Sequence, residues 1–328
     1  MGRAAVLTGI GSAVPDRVVT NDAFAARMDT SDEWIRSRTG IRERRLVEPG
    51  TATSDLAVLA GSRAMKSAGV ADVDAVVLAT TTPDHPCPAT APTVASRLGL
   101  GAVAAYDVAA VCSGFLYGLA SAAGMIALGT AERVLVIAAE AFSTIIDPDD
   151  RATAPIFGDG AGAVVLAAGE QSQRGALLGF DLGSDGALAD LIIVPAGGSR
   201  MKTGASPSDH FFTMRGQAVF KHAVLRMAES SRTVLARTGW PVDAVDWLVG
   251  HQANVRILRA VADQLGLPRE KAFVNVERFG NTAAASIPIA LDDAVAAGLV
   301  NPGDRVLLTA FGGGASWGAV TLEWPDPA

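Results

Sequence analysis

The chain has 328 residues, of which 49% are apolar and only 19% charged, and its net charge is -7. That length allows two halves around one shared core, and so few charges require most helices and strands to be buried. The acidic balance argues against a nucleic-acid surface, which needs clustered Lys and Arg, and two cysteines exclude a disulfide framework and point to a reducing cytoplasm.

In chain order, residues 4–8 (Ala-Ala-Val-Leu-Thr) read as a strand, with no basic region and apolar signal segment before it, so a soluble cytoplasmic protein is expected. The pattern then alternates apolar β runs with amphipathic helices, as βαβ units do around sheets covered on both faces. Residues 108–128 run 21 positions without a charge, long enough for a membrane span. Ser113, Gly114, Gly118, Ser121 and Gly124 within it predict instead a helix packed closely on all sides. A strand at 134–137 follows. The polar stretch 169–175, between strands at 163–167 and 176–179, marks the boundary of two halves, 1–170 and 171–328.

The second half repeats the first. Val73-Asp74-Ala75-Val76 recurs as Val242-Asp243-Ala244-Val245, and Leu98-Gly99-Leu100 recurs as Leu265-Gly266-Leu267; strands at 134–137 and 306–308 follow in turn. Cys112 lies 39 residues after Val73 and Asn281 lies 39 after Val242, which makes them equivalent points of two repeats. A pseudo-dyad between the halves would bring the two helix starts together.

Cys112 stands where a β run gives way to the uncharged helix; a thiol there faces unpaired N–H groups and the positive end of the dipole, which favour thiolate. The plain alternative is a buried inert cysteine. His251 follows the apolar strand 247–249 and precedes a helix, a place from which parallel sheets present reactive side chains. Asn281 precedes a helix, where Asn is more often a cap than a catalyst. Residues 311–314 (Phe-Gly-Gly-Gly) end a strand and either aim N–H groups at an oxyanion or form a flexible turn. His85, His210 and His222 have no Cys or carboxylate at ligand spacing, so no metal is predicted. The glycines of 158–163 mimic a dinucleotide fingerprint, but Val164-Val165-Leu166 after them is β-like where a helix is required; Gly9-Ile10-Gly11 fails likewise, and no Gly-x-Ser-x-Gly elbow is present.

Taken together, 30–35 (Thr-Ser-Asp-Glu-Trp-Ile), 38–41 (Arg-Thr-Gly-Ile), the Cys112 segment, 157–162 (Phe-Gly-Asp-Gly-Ala-Gly), 251–254 (His-Gln-Ala-Asn), 280–282 (Gly-Asn-Thr) and 311–314 resemble β-ketoacyl-(acyl-carrier-protein) synthase III over nearly the whole chain. The resemblance implies a duplicated αβαβα thiolase-like α/β fold, a homodimer, no membrane association and no permanently bound cofactor, with acyl-CoA and a malonyl thioester as substrates. It implies a Cys112, His251 and Asn281 triad and an oxyanion hole from the N–H groups of Cys112 and Gly313. Trp34, Arg38, Arg151 and Asn254 would bind CoA and its pantetheine arm, and Lys221 and Arg256 would dock an acidic acyl-carrier protein.

Two departures from the family pattern bear on specificity. Asp263-Gln264 replaces a basic pair common in housekeeping members, and Cys87 stands where a Phe often reaches across the dimer to limit the acyl pocket, near which Phe142 and Phe311 are expected. The segment 82–85 (Thr-Pro-Asp-His) is also similar to relatives that condense aryl or fatty acyl groups in alkylquinolone formation. The expected reaction is therefore primed decarboxylative condensation in fatty-acid or polyketide synthesis. The alternatives are a secondary-metabolism synthase with a bulkier primer, an acyltransferase without condensation, and a non-catalytic acyl-binding partner, which would be expected to lose the nucleophile.

Overall fold

The computed structural model describes residues 3–326. Among these, strands β1 (Ala4–Ala13), β2 (Ala75–Ala79), β3 (Ala104–Val108), β4 (Arg133–Glu140) and β5 (Gly160–Gly169) form one sheet in the order β1-β5-β4-β2-β3. Strands β6 (Leu177–Ser184), β7 (Trp247–Gly250), β8 (Arg305–Gly312) and β9 (Ser316–Glu323) form a second in the order β7-β8-β9-β6. The chain leaves the first sheet at Gly169 and enters the second at Leu177, across the polar stretch picked out in the sequence.

Each sheet is covered on both faces. Helices α1 (Asp32–Thr39), α2 (Thr53–Ser67), α3 (Ala91–Arg97), α4 (Gly114–Ala127), α5 (Gly216–Thr238), α6 (Val255–Leu265) and α7 (Ser286–Ala296) divide by layer, with α1 outside the layers beside α6. Helices α2 and α3 pack on the outer face of the first sheet, α5 and α6 on the outer face of the second, and α4 and α7 lie between the sheets. Five layers result, αβαβα. A strand buried on both faces has no polar face to present, which is why all five residues of β2 are apolar and buried.

The stretch of membrane-span length is broken into pieces. It contains the end of β3, a 3-10 turn at Val111–Ser113 and α4, whose glycines let the helix approach the first sheet: a Cβ on Gly118 would lie 3.1 Å from Val136 Cγ1. No helix among the described residues is long and apolar enough to cross a membrane. The glycine-rich 158–163 segment opens β5 rather than a nucleotide-binding helix; a side chain on Gly162 would meet Pro288 of α7 at 2.7 Å.

The register of the repeat differs from that read in the sequence. Ala75 of β2 pairs with Val134, and Trp247 of β7 pairs with Val306, so equivalent residues lie 172 positions apart. Asp74 and Asp246 confirm it, since each accepts hydrogen bonds from backbone N–H groups at the start of the next parallel strand, Arg133 and Arg305. Val111 and Ala283 share this offset and a left-handed φ, 46° and 44°, which non-glycine residues rarely adopt. Cys112 therefore corresponds to Ala284, and Asn281 to Ala109. The match of Val73 to Val242 was an accident of two similar tetrapeptides: Val242–Ala244 is a 3-10 turn that precedes β7, three residues out of step.

Candidate active site

A cavity of about 580 Å³ enters the molecule beside α1 and α6. Its buried end is walled by Cys112, His251, Asn281 and Phe311, and its outer end by Trp34, Arg38, Arg151, Asn254 and Arg256. Cys112, His251 and Asn281 are 7%, 3% and 6% exposed, and all three line this cavity.

Each of the three is fixed by a different device. Val111, in its left-handed conformation, turns the chain from β3 into the 3-10 turn that carries Cys112 to the start of α4. Gly312, at the end of β8, lies against that turn; a Cβ there would be 2.8 Å from the Cys112 nitrogen, so no larger residue allows the approach. His251 follows β7, its N–H bonded to Thr309 O at 2.8 Å and its Nδ1 2.7 Å from Ser286 Oγ. The remaining ring nitrogen, Nε2, is left for the cavity. Asn281 is clamped through its backbone by the first half, donating to Ile156 O at 2.9 Å and accepting from Gly158 N–H at 3.0 Å. Its Oδ1 accepts from Ala283 N–H at 2.9 Å, which orients the amide so that its NH₂ is free to donate. Asn281 thus receives a backbone N–H at the start of the 3-10 turn Ala283–Ala285 and still keeps a donor for the cavity. Asn254 caps α6: its Oδ1 accepts from Ile257 N–H at 2.9 Å and its NH₂ remains at the cavity wall.

The electrostatics correct one expectation. Burial, and then the nearby Glu140 carboxylate, push the Cys112 thiol well above its ordinary range, and the hydrogen bond from its own backbone N–H opposes this only in part. The helix start does not by itself produce a resting thiolate, because the apolar surroundings withdraw more stabilisation than the N–H groups supply. Burial pushes His251 down to about 3, so its imidazole is neutral at any working pH.

Glu140, unnoticed in the sequence, is the charge behind the nucleophile. It ends β4 fully buried, accepts from Thr81 N–H at 3.0 Å and Thr82 Oγ1 at 3.0 Å, and is also hydrogen-bonded by the Ala284 backbone. Burial raises it to about 7 from an ordinary 4.5. A carboxyl raised in this way contributes stability that is fully present below about 4.5 and lost as pH rises through 7, a change on the order of 3 kcal/mol. Glu140→Gln stays neutral, so its unfolding free energy should gain on the wild type between pH 5 and pH 8, and Cys112 should be alkylated faster at pH 8. A difference from wild type that does not vary with pH would exclude this coupling.

At the outer end, the Arg38 and Arg151 guanidinium carbons lie 5.0 and 4.5 Å from the Trp34 ring centre, an arrangement that offers a planar face and two cations. Arg256 lies over Phe220 at 5.7 Å, and Lys221 follows Phe220 on the exposed side of α5, outside the cavity wall. Asp263, one of the two residues that replace the basic pair, is held by Arg269 through 2.7 and 2.6 Å bonds, so its charge is paired. Phe311 is part of the cavity wall, whereas Phe142 is not: it is fully buried behind the wall, stacked on Phe157 at 4.6 Å and edge-on to Phe212 at 5.2 Å. Cys87 is exposed and does not line this cavity within one chain. Gly313 is buried against Ile192 and next to the Cys112 turn through Gly312. Among the described residues no group of three His, Cys, Asp or Glu side chains could hold a metal.

A duplicated five-layer fold with a buried cysteine at the start of a central helix is that of the thiolase-like condensing enzymes. Residues 106–186 match the family described as 3-oxoacyl-(acyl-carrier-protein) synthase III, and 235–324 match its C-terminal portion. The chain is 62% identical to β-ketoacyl-(acyl-carrier-protein) synthase III 3 of Streptomyces coelicolor over the full length of both, and 60% identical to synthase III 5 of the same organism over 99% of each. The crystal structure of 3-oxoacyl-(acyl carrier protein) synthase III from Pseudomonas aeruginosa is 50% identical, with a TM-score of 0.93 over 99% of this chain and 100% of that one. The priming β-ketosynthase of the R1128 polyketide pathway is 34% identical, with a TM-score of 0.92 over 100% of this chain and 98% of that one. The chain belongs to the β-ketoacyl-(acyl-carrier-protein) synthase III family and is an acyltransferase-class condensing enzyme.

Proposed function

We propose that this enzyme primes chain synthesis in two steps at one sulfur. An acyl-CoA enters with its nucleotide against Trp34, Arg38 and Arg151 and its pantetheine arm past Asn254. The Cys112 sulfur attacks the thioester carbonyl, the oxyanion is met by the N–H groups of Cys112 and Gly313, and the Cys112 proton leaves on the CoA sulfur. A malonyl thioester on an acyl-carrier protein, guided by Arg256 and Lys221, then loses carbon dioxide. The enolate is held by donors from His251 and Asn281, and its carbon attacks the acyl carbonyl, expelling Cys112 as a thiolate that takes a proton from solvent and releasing a 3-oxoacyl thioester. No base removes an α-proton, since decarboxylation supplies the electron pair.

The observation that supports this reading is the meeting of Cys112, a neutral His251 and an oriented Asn281 amide at the buried end of one cavity. Simple acyl transfer needs no enolate site, so the two donors favour condensation over the acyltransferase alternative. The proposal extends to residues 1–170 and 171–328 as the two duplicated units and to a homodimer in which Cys87 of each subunit faces the other's acyl pocket.

The primer follows from Cys87. A thiol in place of a phenyl ring leaves apolar room, and each further buried CH₂ contributes about 0.8 kcal/mol, so a few carbons shift preference by roughly one to two orders of magnitude. Branched, aromatic or medium-chain primers are expected, and Cys87→Phe should restore preference for short ones. The test presents a panel of acyl-CoAs, reads the mass added to the intact protein, then adds malonyl-carrier protein and compares kcat/KM for acetyl-CoA with that for a medium-chain acyl-CoA. Acyl loading without a 3-oxoacyl product would reject condensation; a wild-type preference for acetyl, or unchanged selectivity in Cys87→Phe, would reject the pocket argument alone.

A further inference from the structure

We propose that Ser286 is the positioning residue that fixes the tautomer of His251, placing the ring proton on Nε2 toward the cavity. The proposal rests on the reading of His251 as an enolate-stabilising donor. Ser286 is the first residue of α7 and is 2% exposed. Its hydroxyl oxygen is bonded by two groups. The backbone N–H of Gln252 donates to it at 3.3 Å, and His251 Nδ1 stands 2.7 Å away.

The direction of the second bond follows from donor and acceptor arithmetic. A hydroxyl has one proton and two lone pairs, and a neutral imidazole has one donor nitrogen and one acceptor nitrogen. The Gln252 N–H is a fixed donor. If Nδ1 also carried a proton, Ser286 Oγ would receive two donors, and its own proton would have no acceptor among its bonded neighbours in a buried site. An unsatisfied buried polar group is costly, so the alternative is favoured: Ser286 donates to Nδ1, and every group at the junction is satisfied. Nδ1 is then the acceptor, and Nε2 bears the proton. Burial keeps the ring from becoming imidazolium, so neutral tautomers are the relevant choice.

The duplication isolates what is special about this residue. The position equivalent to Ser286 in the first half is Gly114, which begins α4 beside Cys112, and a Cβ there would lie 3.1 Å from Ala79 Cβ. The hydroxyl occurs in the half that carries the histidine. The consequence for the reaction is a division of labour. With Nε2 protonated, His251 is a donor to the malonyl carbonyl oxygen and cannot accept the Cys112 proton, which agrees with that proton leaving on CoA.

The wild-type protein labelled with ¹⁵N-histidine tests the assignment without any change at Ser286. Long-range nitrogen–carbon-bound-proton correlations, with the His251 signals identified by their loss in His251→Gln, should show a protonated Nε2 and an unprotonated Nδ1. Ser286→Ala should shift the ring toward the other tautomer and lower the rate of malonyl decarboxylation by about tenfold, the equivalent of one lost hydrogen bond, with a smaller loss in acyl loading. Ser286→Thr, which keeps the hydroxyl, should recover the tautomer. A wild-type ring protonated on Nδ1, or a Ser286→Ala protein that keeps the wild-type tautomer, overturns the proposal. Failure of the underlying reading looks different: His251→Ala would then release carbon dioxide normally while the wild-type tautomer stood as assigned.

Discussion

Cys112→Ala should abolish acyl loading altogether, with no mass added to the intact protein by any acyl-CoA, while the fold persists. The sulfur is the one nucleophile at the buried end of the cavity, and no neighbouring side chain there can form a thioester in its place. Loss of one buried sulfur removes little packing volume, because the turn that carries it is held by contacts the substitution leaves alone. Val111 sets the turn, Gly312 backs it, and the neighbouring Ser113 Oγ is tied to Ser316 Oγ at 2.7 Å and Ala110 O at 2.8 Å. Intact-mass spectrometry reads the loading and thermal unfolding reads the fold. Peptide mapping that placed the acyl group on exposed Cys87 would sink the assignment of the nucleophile.

His251→Ala and Asn281→Ala should each still load acyl groups but lose decarboxylation by roughly a hundred- to a thousandfold, the usual effect of removing one donor from a developing oxyanion. The two donors come from opposite devices, a ring turned by Ser286 and an amide turned by Ala283 N–H, so neither can substitute for the other. Asn281→Ala also leaves Ala283 N–H without its partner, which could disturb the turn. Asn281→Asp separates the effects: it retains the acceptor for Ala283 and replaces the donor by an anion. It should be at least as defective as Asn281→Ala in carbon dioxide release. Wild-type release of carbon dioxide in any of the three would contradict the enolate role.

The pattern of apolar runs was enough to read a duplicated α/β chain, since strands buried on both faces must be apolar throughout, and the motifs around Cys112, His251, Asn281 and 311–314 were enough to read the family. The sequence also showed that 158–163 was no nucleotide loop, because β-branched residues follow it. Short tetrapeptides, by contrast, resemble one another by chance, and only strand pairing showed that Cys112 corresponds to Ala284. Likewise, Phe142 was expected at the acyl pocket, but Phe157, stacked on it, and Phe212, edge-on to it, line the cavity in its place.

What the sequence determined by itself is therefore the architecture, the family and the chemical identity of the three side chains at the cavity's end. The tertiary structure decided their protonation and orientation. Ionisation depends on what surrounds a group in three dimensions: Glu140, distant in sequence, reaches Cys112 only through the packing of β4 against the two helix starts, and Ser286 reaches His251 only where α7 crosses the end of β7. A thiol at a helix start reads as thiolate in sequence. Burial, and then the Glu140 carboxylate, push that thiol up, because low-dielectric surroundings penalise the charged form.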